Sequence, residues 1–300
     1  MNRLFKMVLA TTLIGISMSA NAIDRQSLKQ YAASLKGLKK EELKKALHTL
    51  MDKKTVLKYG SGNKGTWWGF WYTDRDPQTK ECYNRYSDKK FYFAEHNGAA
   101  IAGMNIEHSF PKSWWGGTQN NAYCDLYNLY PSDSKANSDK SNYPMGVVVN
   151  VTKPAGEGYD KVGTGYADGQ LIKMWEPGNR FKGEFARSYL YMATTYHHLK
   201  WVKTGLQSLE NNSWPTLREW AYKLYLKWSK QDRVDQQEID RNNAAAKIQN
   251  NRNLFIDYPN LAEYVWGDSV DVAFNPDLSI TTASDDARYT GAVVPPSDPR

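Results

Sequence analysis

Asn105-Ile106-Glu107-His108-Ser109-Phe110-Pro111-Lys112-Ser113-Trp114 is the segment on which the fold of this chain turns. It sets a carboxylate beside an imidazole. Neighbours on a regular strand face opposite ways, so a shared site needs a strand end or an irregularity. Pro111 gives a reason for one, because proline interrupts strand pairing. Two further segments follow, Asp125-Leu126-Tyr127-Asn128-Leu129-Tyr130-Pro131 and Ala136-Asn137-Ser138-Asp139-Lys140-Ser141-Asn142. Ser132 or Asp133 suits the N-cap of a short helix, which sets Asn137 on its first turns. The predicted order is strand, loop, strand, helix, with the histidine on the first strand and the asparagine on the helix. Chemically, Glu107 offers a metal-binding carboxylate next to a general base, His108. Taken alone, a Glu-His pair is weak evidence, and two satisfied surface side chains are its default reading.

The rest of the chain limits what such a segment can serve. At 300 residues it makes one large domain or two small ones. With 41% hydrophobic and 24% charged residues it is too apolar for a disordered chain. No run of 18 apolar residues is present, which excludes a polytopic membrane protein. A formal net charge of +7 favours a polyanionic partner, nucleic acid or an anionic surface. Arg3 and Lys6, then the apolar stretch 7–16, then Ser19-Ala20-Asn21-Ala22 read as a secretory signal peptide over residues 1–22. Its removal takes away Arg3 and Lys6 and leaves +5. Export sets Cys82 and Cys124 in an oxidising compartment, where they can form a disulfide or stay as two thiols.

Residues 24–54 read as helix, with Leu35, Leu38, Leu43, Leu47 and Leu50 on an apolar face and Gly37 as a break. The lysines between Lys36 and Lys54 then crowd a solvated face, diluted by Glu41 and Glu42. Residues 58–100 read as short strands and loops around Trp67, Trp68, Phe70, Trp71 and Tyr72, a cluster that builds core or stacks on bases or sugars. Residues 147–172 are strand- and Gly-rich. From Lys182 the spacing of Ala186, Leu190, Ala193 and Tyr196 predicts a helix, and that of Trp214, Leu217, Ala221, Leu224 and Trp228 another, with Pro215 near its start. Asp235 and Glu238 form a capping box for one more. Residues 268–300 lose apolar periodicity and are expected to be a flexible tail.

These segments resemble the bacterial endonuclease I family of secreted, non-specific nucleases. Asn105, Glu107, His108, Pro111, Ser113, Asp125, Asn128, Leu129, Pro131, Asn137, Ser141 and Asn142 carry the first block of the match. Trp175-Glu176-Pro177 with Lys182-Gly183-Glu184-Phe185-Ala186-Arg187 looks like a second block. Glu238, Arg241, Asn242, Gln249, Asn253, Phe255, Ile256, Asp257, Pro259 and Leu261 look like a third. The resemblance implies an α+β, mainly helical single domain over residues 23–267, with short strands and a ββα-metal (His-Me finger) core. It implies His108 as general base and Glu107 and Asn137 as ligands of a divalent metal. Two positions depart from the family: Tyr127 stands where His is frequent, and Lys140 where Arg is. Relatives with an arginine between the histidine and the helix use it on phosphate; residues 109–136 here contain Lys112 and Lys135 but no Arg. Arg187 is then a candidate phosphate contact, with a structural ion pair as its other reading.

These residue types suit phosphodiester hydrolysis. A neutral histidine can take a proton near neutral pH. One carboxylate and one amide oxygen suit a hard cation that keeps several waters, Mg²⁺ first and Mn²⁺ or Ca²⁺ as alternatives. The expected partners are DNA and RNA without marked sequence preference, met by a monomer in the periplasm or outside the cell. His96, His197 and His198 suggest a zinc site only weakly, since adjacent residues on a helix do not share a face. The competing reading is a non-catalytic exported protein that binds nucleic acid or glycan through the segment 67–72.

Overall fold

The computed structural model describes residues 22–94 and 98–291. The predicted signal peptide, apart from Ala22, lies outside the described residues, as does His96. The chain opens with α1 (Arg25–Tyr31), capped by Asp24, whose carboxylate accepts from the Ser27 N–H at 2.8 Å. Gly37, at φ 84°, then turns the chain into α2 (Lys40–Met51), as its place in the sequence predicts. Leu43, Leu47 and Met51 face the core. Lys44 is an exception to the solvated lysine face. It is buried, and its Nζ donates to the Ser213 carbonyl and Thr216 Oγ1, both at 2.8 Å.

The aromatic run is helical, not extended: α3 spans Thr66–Thr73. Trp67 and Phe70, three apart, enter the core, while Trp68, Trp71 and Tyr72 take the other side. Gly69 lies between Leu57 and Leu126, where a Cβ would come within 2.6 Å of a Leu57 methyl. The dense aromatics hid this period. Short strands do follow, β1 (Glu81–Cys82) and β2 (Phe91–Tyr92), paired antiparallel.

The central unit is β3 (Met104–His108) and β4 (Leu129–Asp133), antiparallel with Glu107 opposite Tyr130 and His108 opposite Leu129. The short α4 (Asn121–Cys124) lies in the connection, and α5 (Ser134–Lys140) follows β4 directly. Asp133 is the N-cap of α5, accepting from the Ala136 N–H at 2.9 Å. A third sheet, β5 (Asn150–Pro154), β6 (Lys161–Ala167) and β7 (Gln170–Glu176), is an antiparallel meander.

Next comes α6 (Lys182–Thr195), buried along nearly its whole length and packed against α2. It also packs against α7 (Glu219–Gln231). The chain closes with α8 (Gln236–Gln249), α9 (Leu254–Asp257) and α10 (Leu261–Trp266). Pro215 stands ahead of α7, in a cis peptide with Trp214, and the helix starts at Glu219, later than the apolar spacing suggests. At α8 the Asp235 carboxylate accepts from the Glu238 N–H at 2.9 Å, but the Glu238 side chain turns to Arg187 instead of completing the capping box. The architecture is α+β, mainly helical with small antiparallel sheets.

Beyond Gly267 the described residues have no helix or strand, yet 268–291 do not form the loose tail their composition suggests. Phe274 is buried against Tyr258 and Tyr264 and exchanges backbone hydrogen bonds with Gly37 and Leu38 at 2.8 Å. Asp286 accepts from the Thr281 N–H and Oγ1 at 2.9 Å. Such side-chain turns replace a helical or strand ladder and leave no periodicity for a sequence reading to find.

Candidate active site

Asn128 explains why β3 stops where it does. Its carbonyl accepts from the Ser109 N–H at 3.0 Å, and its side-chain Oδ1 accepts from the Phe110 N–H at 2.8 Å. A side chain thus takes over the ladder just past His108, and the strand leaves the sheet toward Pro111. The irregularity expected near Pro111 thus falls just after His108, while Glu107 and His108 themselves stay in register with β4.

His108 is buried at this strand end. Its Nε2 lies 2.9 Å from the Tyr123 carbonyl of α4. A carbonyl only accepts, so Nε2 carries the proton and Nδ1 keeps its lone pair. Tyr59 stacks on the ring at 5.4 Å between centroids and Tyr123 meets it edge-on at 4.5 Å. Burial pushes the imidazole down to about 3, and Lys112 and Lys140 disfavour its cation further. The ring is therefore neutral throughout the ordinary working range.

Glu107 faces α5. Its Oε1 accepts from Lys140 Nζ at 2.7 Å, and both groups are buried. Burial pushes the carboxyl up, while Lys140 and then Lys112 pull it down. Asn137 is half-buried on α5, three residues before Lys140, and so shares the helix face turned to Glu107. Lys112 is exposed, donates to Tyr123 Oη at 3.0 Å and acts electrostatically on both Glu107 and His108. Among the described residues no group of three or more His, Cys, Asp or Glu is arranged to hold a metal.

Other candidates fall away. Arg187 is buried, and its Nε and Nη2 donate to the two carboxylate oxygens of Glu238, each at 2.6 Å. Its Nη1 reaches the Asp232 carbonyl at 2.9 Å. A guanidinium satisfied on three sides inside the body cannot meet phosphate; it ties α6 to α8. Cys82 and Cys124 are both free thiols. Cys82 is buried on the β1–β2 hairpin near Asp74, whereas Cys124 ends α4 beside Tyr59, so the two occupy different neighbourhoods. His197 and His198 follow the end of α6 and pack with His48 at centroid distances of 4.6 and 5.3 Å.

Three participants were not legible in the sequence. Tyr59, the Tyr123 carbonyl and the Lys140 ammonium come from separate segments and carry no local pattern. Lys140 does fall inside the segment 136–142, so only its role was hidden; Tyr59 and Tyr123 lie outside the quoted segments and left no signal.

A neutral histidine with a free nitrogen, a buried carboxylate and two lysines are residue types that suit hydrolysis of an anionic substrate. The chain belongs to the Endonuclease I family, which matches residues 39–260. It is thus a nuclease, a hydrolase of phosphodiester bonds. It is 30% identical over 264 residues to an extracellular ribonuclease of Bacillus amyloliquefaciens, covering 85% of this chain and 84% of that one. An extracellular ribonuclease of Bacillus subtilis (strain 168) is 30% identical over 84% of this chain and 83% of its own. A periplasmic deoxyribonuclease of Aeromonas hydrophila is 29% identical over 44% of this chain and 47% of its own. The non-catalytic alternative is set aside by this membership.

Proposed function

We propose that the protein is an exported, metal-dependent endonuclease that cuts DNA and RNA without marked sequence preference, with His108 as the base that takes the proton of the attacking water. The observation that carries this reading is the hydrogen bond from His108 Nε2 to the Tyr123 carbonyl. It fixes the tautomer and leaves Nδ1 as the only basic position on the ring. Burial makes the ring a weak base in the free protein, because a proton on Nδ1 creates a buried cation. An anionic phosphate at the site offsets that cation, so proton transfer becomes favourable only with substrate bound. Lys112, exposed beside Tyr123, is positioned to meet the incoming phosphate.

Glu107 and Asn137 fit a hard cation by donor type: one carboxylate and one amide oxygen, with water completing the shell. The present partner of Glu107, Lys140, is itself a cation, so the carboxylate is already arranged to face positive charge. When bound, such a cation supplies stabilisation of the charge that develops on phosphate oxygens. The names of the relatives support export and span both nucleic acids, ribonucleases on one side and deoxyribonucleases on the other.

Nicking of a supercoiled plasmid and cleavage of an RNA transcript, each with Mg²⁺ and then with EDTA, test this reading. Activity is expected with Mg²⁺ alone. Glu107→Ala and Asn137→Ala should remain folded and need more Mg²⁺. A variant that cuts normally at limiting Mg²⁺ removes its residue from the ligand set, and full activity in EDTA removes the metal.

A further inference from the structure

Asp160 stands immediately before β6, buried, and has no part in the proposed cleavage. Its Oδ2 accepts from Trp175 Nε1 at 2.5 Å, while its Oδ1, equally buried, has no hydrogen-bond donor. A buried carboxyl oxygen without a partner is costly and calls for a reason. Trp175, on β7, supplies one. Its ring also carries the Lys140 ammonium, 4.9 Å from the centroid, and that ammonium is the one bonded to Glu107 Oε1 at 2.7 Å. Tyr86 stacks on the indole at 5.8 Å and Phe185 meets it edge-on at 5.0 Å, which fixes it in place. Asp160, Trp175, Lys140 and Glu107 thus form one chain of contacts through the core. The charges of Lys140 and Glu107 both act on Asp160.

We propose that Asp160 is a positioning residue of the cleavage centre: it takes up the Lys140 ammonium when Glu107 gives its carboxylate to a divalent cation. The inference rests on the reading of Glu107 as a metal ligand. In the free protein two carboxyl groups neighbour one ammonium, and among the described residues Lys140 has its ion pair with Glu107 alone. Once Glu107 holds a divalent cation, like charges meet at its oxygens. The Lys140 side chain is fully buried and cannot reach water where it stands. A buried charge that loses its partner is strongly destabilised, so the ammonium needs a second acceptor within the reach of its flexible four-carbon stem.

Asp160 Oδ1 is that acceptor. Tyr86 Oη and Ser109 Oγ are also buried without a partner, but neutral hydroxyls cannot balance an ammonium. Burial pushes the Asp160 carboxyl well up, against the Trp175 hydrogen bond and the Lys140 charge. In either state of protonation a carboxyl keeps an oxygen that can accept, and the approaching ammonium draws it toward the ionised form. The hydrogen bond from Trp175 holds the other oxygen, so Oδ1 stays presented on the side of the indole that Lys140 shares.

The test titrates Mg²⁺ alone into the purified, metal-free protein by calorimetry, without nucleic acid. Asp160→Asn keeps an oxygen for Trp175 and removes the charge. It should weaken Mg²⁺ binding about tenfold, within the usual range for coupled sites, because Lys140 then stays on Glu107. Lys140→Met should bind Mg²⁺ at least as tightly as the wild type. Adding Asp160→Asn to Lys140→Met should change the affinity by less than about twofold, as for uncoupled positions. A merely structural Asp160 would lower affinity alike in both backgrounds; that result, or unaltered binding by Asp160→Asn, overturns the proposal. If Asp160→Asn lacks a native near-ultraviolet circular dichroism spectrum, a crystal structure of the wild type grown with Mg²⁺ decides. Lys140 Nζ is expected on Asp160, and Nζ still on Glu107 overturns the proposal. Glu107→Ala separates this step from the reading beneath it. Loss of Mg²⁺ binding in Glu107→Ala with unaltered binding in Asp160→Asn removes Asp160 and leaves the metal ligand standing. Normal Mg²⁺ binding by Glu107→Ala removes the ligand, and the role of Asp160 with it.

Discussion

Two buried ion pairs of similar length behave differently because of what surrounds them. Arg187–Glu238 is bidentate at 2.6 Å, and a further guanidinium nitrogen is taken by the Asp232 carbonyl. Lys140–Glu107 is a single contact at 2.7 Å between a point-like ammonium and one carboxylate oxygen. The first is closed to any newcomer and joins two helices far along the chain from each other. The second has Asn137 on the same helix face and exposed Lys112 within electrostatic reach. A buried pair is weak evidence for function or stability by itself; these two differ in how completely their donors and acceptors are filled.

Removing the cations tests this contrast. Arg187→Met leaves Glu238 without its partner and should cost about 3–5 kcal/mol, the usual penalty for stranding one member of a buried pair. Urea unfolding measures it, and a loss below about 1 kcal/mol would place Arg187 outside the scaffold. His108→Ala addresses the other side. It should slow plasmid cleavage at least about a hundredfold, near the low end for a lost general base. Its far-ultraviolet circular dichroism should be native; near-normal turnover by the folded variant removes the base from the scheme.

Lys140→Met should be milder than Arg187→Met, about 1–3 kcal/mol, because it removes a single contact to Glu107 where Arg187 makes a bidentate pair and a further carbonyl contact. Saturating Mg²⁺ should raise the melting temperature of this variant more than that of the wild type, since a bound cation would replace the lost ammonium. Equal shifts, or none, would separate Glu107 from the metal. The smallest effect is a displaced pH limb. His108 has a folded value near 3 against an ordinary 6.5. The unfolded chain therefore takes up this proton first as pH falls. The stability contributed by the neutral buried ring is present above 6.5 and is lost between 6.5 and about 3. The acid limb of kcat/KM, which reports the free protein, should accordingly lie near the acid end of that window. A half-maximal kcat/KM at pH 6.5 in the wild type would mean the ring is far better solvated than its aromatic cage implies.

The central strand-loop-strand-helix order was legible because a cap and a breaker marked it, Asp133 ahead of α5 and Pro111 after His108; Gly37 did the same between the first helices. Glu107 and His108 could be chosen as candidates because they stand side by side in residues 105–114, whereas Asn137, in the separate segment 136–142, was pointed to only by the family resemblance. What stayed hidden depends on partners distant in the chain. Nothing in Arg187's neighbours announces Glu238 as its partner, and an export-based expectation for Cys82 and Cys124 says nothing of where the thiols stand. The run of tryptophans masked α3, since an aromatic at nearly every position erases the contrast on which a helical period depends.

The segment beyond Gly267 has a topological consequence. Its backbone returns to the beginning of the described chain: the Ser284 N–H donates to the Ile23 carbonyl at 3.1 Å, and Asp285 accepts from the Arg25 N–H at 2.7 Å. The described part of the chain is thereby almost a closed ring, fastened where Ile23 and Arg25 pass Ser284 and Asp285. A circularly permuted version, joined by a short glycine-serine bridge between residues 291 and 22 and reopened at the exposed Asp168–Gly169 turn, should fold to the same body.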